Sequence, residues 1–166
     1  MRDVTRWTVR CGFVLVGLIL VASAVLAGRF DVGHAQFHVL IALVMLVGAA
    51  VILRTRPQMG VGARWLMLGL LAFAAAQFVE AIGAFGFGTD GYSRINDVVL
   101  LHDLGLGLTP IGLILLGFGA ALAGSRWFAD LASRWIPRSV AFAVSLTLSL
   151  VVVAIPFLTL MGIQPF

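Results

Sequence analysis

Five times along the chain the polar residues fall away for about 20 positions, the length of helix that crosses a hydrocarbon core of roughly 30 Å. These runs lie near residues 10–28, 34–53, 63–87, 98–123 and 139–162. They predict an all-α integral membrane protein, a single domain over residues 1–166 built as a bundle of five transmembrane helices. The first run follows Arg2, Arg6 and Arg10 and ends in the small residues Ala22, Ser23 and Ala24, as a secretory signal would. It is longer than a usual signal core, so it is expected to stay as a true first helix.

Composition agrees with the pattern. The chain is 61% hydrophobic and only 11% charged, outside the range of ordinary soluble domains. All 11 basic residues are arginine. The resulting pI near 11.0 would suit nucleic-acid binding if the arginines were clustered, but most flank the apolar runs, so no nucleic-acid partner is expected. The one cysteine, Cys11, has no partner for an intrachain disulfide and sits in an apolar run, which argues against thiol chemistry.

Arginine placement also predicts orientation. With the N-terminus in the cytoplasm, Arg2, Arg6, Arg10, Arg54, Arg56, Arg64, Arg126, Arg134 and Arg138 lie inside and only Arg29 and Arg94 outside. The C-terminus then emerges on the outer, periplasmic side of the cell inner (plasma) membrane. Trp7, Trp65, Trp127 and Trp135 fall at the inner interface, where indole rings favour the headgroups. Residues 125–137 mix Trp127, Phe128, Leu131, Trp135 and Ile136 with Arg126, Asp130 and Arg134, the composition of a short interfacial helix between the fourth and fifth spans. Outside, Gly88 to Gly91 read as a turn, with Asn96 or Asp97 capping the fourth span.

Against this background four ionisable residues stand out. His34 and His38 open the second run, Glu80 lies late in the third and His102 early in the fourth. An ionisable group in hydrocarbon costs roughly 2.5–3.5 kcal/mol, so four of them call for a shared cause. At 1.5 Å per residue, His38 and His102 sit about 6 Å and Glu80 about 10 Å below the outer boundary, with His34 at the boundary itself. The antiparallel threading puts them in one layer. His34 and His38, four apart, project from one helical face together with Met45, and Gln77 shares the face of Glu80. His102 shares a side with Thr109 and with Gly105, Gly112 and Gly119, small residues of the kind found where backbones or a flat cofactor come close.

Four chemistries fit such a set. A metal centre would use His34, His38, His102 and Glu80, with Asp103 as an alternative ligand or outer acceptor, and suits Zn, Cu, Fe or Mn. A b-type haem would take His34 or His38 against His102, with the glycine stripe making room for it and Arg29 and Arg94 meeting its propionates. The remaining histidine and Glu80 could then line a quinone site. A proton path would use Glu80, Gln77, Asp103 and the histidines, although the inner halves of the spans hold few polar groups beyond Thr109, Ser145, Thr147 and Ser149. Finally, the polar groups could simply bond one another in an accessory subunit of a larger membrane complex. The expectation carried forward is an outward-facing intramembrane site that binds a redox metal or haem within a membrane redox complex, among other membrane subunits. A non-catalytic accessory or assembly subunit of a larger membrane complex, or a zinc-dependent membrane hydrolase, is the alternative. Pro110 and Pro156 are expected to shape their helices.

Overall fold

The structure, a computed structural model, describes residues 2–55 and 60–160. Five α-helices account for nearly all of them: α1 (Arg2–Leu26), α2 (Val32–Thr55), α3 (Val61–Ala84), α4 (Asn96–Ala132) and α5 (Arg138–Leu160). All five are long and apolar enough to cross a membrane, and among the described residues there is no strand. The five expected spans are therefore present. Two boundaries move. α1 begins at Arg2, because nothing in the polar stretch before residue 10 breaks a helix. The segment expected to form a separate interfacial helix instead continues α4 to Ala132, and α4 runs unbroken through Pro110, which lies on its exposed side. Arg56 and residues 161–162 of the expected fifth span lie outside the described residues, as does the side chain of Pro156.

The connections are short and locally determined. Gly28 takes a left-handed conformation (φ 86°) that a side chain would strain. Asp31 then caps α2 by accepting the His34 N–H on Oδ1 at 3.1 Å. Between α3 and α4, the Gly86 carbonyl accepts both the Arg94 and Ile95 N–H groups, and Gly91 (φ 78°) closes the turn foreseen there. The first intrahelical bond of α4 goes to the Ile95 carbonyl, and Asn96 Oδ1 accepts the Ser93 hydroxyl rather than capping. The backbone N–H of Asp31 donates to the Phe87 carbonyl at 3.0 Å, stitching one turn to the other. At the start of α5 the Pro137 carbonyl accepts the Val140 and Ala141 N–H groups.

The helices divide between two compact units, Met1–Pro57 with Leu70–Gly112, and Gln58–Gly69 with Leu113–Phe166. In the first, Val16 and Ile19 of α1, Val39, Ala42 and Leu46 of α2, and Ala74, Phe78 and Ala81 of α3 form the buried core, with Met45 packed against it. In the second, Ala129 and Ala132 meet Ala141 and Phe142. The Ser145 hydroxyl reaches Ser125 Oγ at 3.4 Å, and Arg138 pairs with Asp130 at 2.6 Å.

Glycines set how closely α3 and α4 approach. In the first unit, a Cβ at Gly105 would stand 2.5 Å from Glu80 Cγ, one at Gly112 would stand 2.6 Å from Phe73 Cα, and one at Gly83 would overlap the His102 backbone. In the second, Gly62 abuts Ala123, Gly69 abuts Leu116 and Gly119 abuts Leu66. α4 thus offers Gly105, Gly112 and Gly119 at seven-residue intervals to α3, which in turn offers Gly62, Gly69 and Gly83 to α4, the close approach that small residues permit between membrane helices. The stripe expected to leave space for a macrocycle is occupied by α3.

Candidate metal centre

The cluster is built within the first unit. The Asp31 cap fixes the first turn of α2, from which His34 and His38 emerge one turn apart with ring centroids 4.9 Å from each other. Gly83 lets α4 in close enough to add His102, whose ring lies 4.9 Å from His34 and 5.4 Å from His38. The two Nε2 atoms of His34 and His102 are 3.2 Å apart. One nitrogen from each of the three rings can be chosen so that all lie within 4.8 Å of one another, close enough to hold a metal ion. The Phe87 ring stands 5.9 Å from His34 and 5.5 Å from His102, and Phe37 stands 5.6 Å from His38.

Behind His38 lies a polar network among residues that are almost wholly inaccessible: Glu80 is 2% exposed, Gln77 3% and His38 7%. The Gln77 amide donates to Glu80 Oε1 at 2.8 Å and to Thr109 Oγ1 at 3.2 Å. The Thr109 hydroxyl donates to Glu80 Oε1 at 2.5 Å. With its NH2 so committed, Gln77 turns its carbonyl oxygen to His38 Nδ1 at 3.0 Å, and Glu80 Oε2 lies 3.2 Å from the same nitrogen. A carbonyl oxygen can only accept, so Nδ1 carries the hydrogen. His38 Nε2 is then left with its lone pair free, and it is buried with no hydrogen-bond partner. A buried polar atom without a partner calls for an explanation. An imidazole whose far N–H is held by a carboxylate is the arrangement that orients a metal ligand and raises its basicity.

The other expected site residues are placed differently. Asp103 is largely exposed, its Oδ1 3.8 Å from His102 Nδ1. Arg94 pairs with Asp90 in the α3–α4 turn, and Arg29 is exposed on the α1–α2 turn. Among the described residues neither arginine is hydrogen-bonded to an imidazole. The sequence put Gln77 beside Glu80 and Thr109 beside His102, but their joint hold on the carboxylate depends on the register of α3 against α4. Phe87 carried no signal at all, since an aromatic residue in an apolar chain is packing material by default. No protein-family model, characterised protein or solved structure matches the chain.

Proposed function

We propose that the protein is a multi-pass membrane protein that binds one divalent transition-metal ion through His34, His38 and His102. Glu80, Gln77 and Thr109 act as the outer shell that fixes His38, and Asp103 adds a negative charge near His102. The observation that carries this reading is the lone pair on buried His38 Nε2, in a cluster whose other two rings already hold their nitrogens 3.2 Å apart. Ligand nitrogens at 2.0–2.1 Å from a tetrahedral ion lie about 3.3 Å from one another, close to the separation His34 and His102 already have. Three neutral imidazoles favour copper or zinc over manganese and leave a position open for water or a small substrate. A bis-imidazole haem is less well served. Its two ligand nitrogens would stand about 4 Å apart with a porphyrin between them, whereas those of His34 and His102 touch directly.

The test is metal titration of the purified full chain in detergent, with Co(II) as the spectroscopic probe and elemental analysis of the reconstituted Zn(II) and Cu(II) forms. One ion per chain with the intense visible bands of low-coordinate cobalt is expected, weakening as pH falls because protons compete for the ligand nitrogens. No saturable binding of any of these ions would overturn the assignment. Glu80→Gln keeps the shape but loses the charge that steadies His38, and is expected to weaken binding about 10- to 100-fold with the stoichiometry unchanged. An unaltered affinity would remove Glu80 from the site.

The arginine distribution supports an N-terminus in the cytoplasm and a metal site facing the outer leaflet, with the helices forming one membrane domain. In a Cys11→Ser background, cysteine placed at Thr89, which is exposed in the α3–α4 turn, is expected to react with an impermeant maleimide on intact cells. Cysteine at Ser133 should react only after permeabilisation. The opposite pattern would reverse the orientation.

A further inference from the structure

At the end of the first unit remote from the histidines, a cavity of about 460 Å³ lies between the start of α1 and the end of α2, lined by Arg6, Val9, Arg10, Ala50, Leu53 and Arg54. Its make-up is unusual for this chain. Three arginines line it beside an apolar floor, Val9 and Leu53 being buried, and among the described residues none of the three has an ion-pair partner. Elsewhere Arg94 pairs with Asp90 and Arg138 with Asp130. Three like charges gathered around one cavity repel one another unless an anion joins them, and the planar fork of arginine matches phosphate oxygens. The cavity also sits where its two helices leave the apolar span. One turn deeper on the same faces, Phe13 is 39% and Val47 46% exposed, apolar surface on which an acyl chain can lie.

We infer that this cavity is a binding site for the headgroup of an anionic phospholipid, held by Arg6, Arg10 and Arg54 with its acyl chains against α1 and α2. Basic pockets between membrane helices hold phosphate-bearing lipid headgroups in this way. The site is separate from the histidine cluster and does not depend on metal binding.

Native mass spectrometry of the detergent-solubilised full chain tests the site, with cardiolipin, phosphatidylglycerol and phosphatidylcholine as the titrated lipids. Preferential retention of the two anionic lipids over phosphatidylcholine is expected. At about fivefold for each charge, the triple variant Arg6→Gln, Arg10→Gln, Arg54→Gln should lower that retention about a hundredfold. Arg54→Gln alone should lower it about fivefold and serves if the triple variant does not fold. A control, Arg126→Gln with Arg134→Gln, removes charge elsewhere and should leave retention unchanged. An equal loss in the control, or no loss in Arg54→Gln, would overturn the site. Displacement of the lipid by millimolar inorganic phosphate would also overturn it, by making the ligand a soluble anion.

Discussion

His38→Ala is expected to strip the bound ion from the protein, lowering metal affinity by more than the roughly 10- to 100-fold that follows loss of an outer-shell partner. His38 is the most deeply buried of the three imidazoles and the one whose tautomer is dictated by its surroundings, through Gln77 and Glu80. Removing it takes away a ligand nitrogen already stripped of water and leaves Glu80 still bonded to Gln77 and Thr109, so the helices should remain assembled. Elemental analysis and cobalt spectra of the purified variant provide the check. His34→Ala and His102→Ala should each lose the ion as well. A variant at His38 that keeps a full equivalent of metal at wild-type affinity would show that the buried lone pair serves packing alone. If instead His34→Ala alone left an intensely coloured species with a Soret band, the ligand would be haem and the three-imidazole reading would fail.

The second large effect is steric. Gly83→Ala is expected to destabilise the protein by about 1–3 kcal/mol or more, the cost of forcing atoms into a packed interface, and to weaken metal binding at the same time. A methyl group at Gly83 collides with the backbone of His102, and backbone cannot swing aside as a side-chain tip can. Relief requires α4 to back away from α3, which carries His102 off His34 and Thr109 off Glu80. Gly105→Ala, whose new carbon would face Glu80 at 2.5 Å from Cγ and 2.7 Å from N, should behave alike. Gly107→Ala on the same helix meets nothing within 4 Å and should be neutral or gain up to about 1 kcal/mol from helix propensity. Thermal unfolding in a single detergent, read beside metal content, compares the three. Equal stability for Gly83→Ala and Gly107→Ala would refute the account of the glycine contacts.

These two effects mark what could and could not be read before the fold was in view. Hydropathy located all five spans because the bilayer imposes one length on each. Depth counting brought His34, His38, Glu80 and His102 together because 1.5 Å per residue holds in any straight helix. The glycines at 105, 112 and 119 announced close approach but not what approaches, since a missing side chain is equally suited to a macrocycle and to a neighbouring backbone. Glu80 could be placed beside the histidines, yet whether it faces an ion or stands behind a ligand turns on where Gln77 and Thr109 spend their hydrogen bonds. That is fixed by a register between two helices that neither one encodes alone. Residues 125–132 look interfacial by composition and are nevertheless continuous with the span before them, because nothing between Gly119 and Ala132 stops a helix that its neighbours already support.

The continuity of α4 has a geometric consequence. Its 37 residues make a rod roughly 55 Å long at 1.5 Å per residue. Even leaning at about 40°, the top of the usual range, such a rod rises about 42 Å against a hydrocarbon slab of roughly 30 Å. Oil cannot cover it from end to end. A helix of that length has to leave the hydrocarbon at one end or both, and the end bearing Arg126, Trp127 and Asp130 carries the side chains suited to headgroups and water.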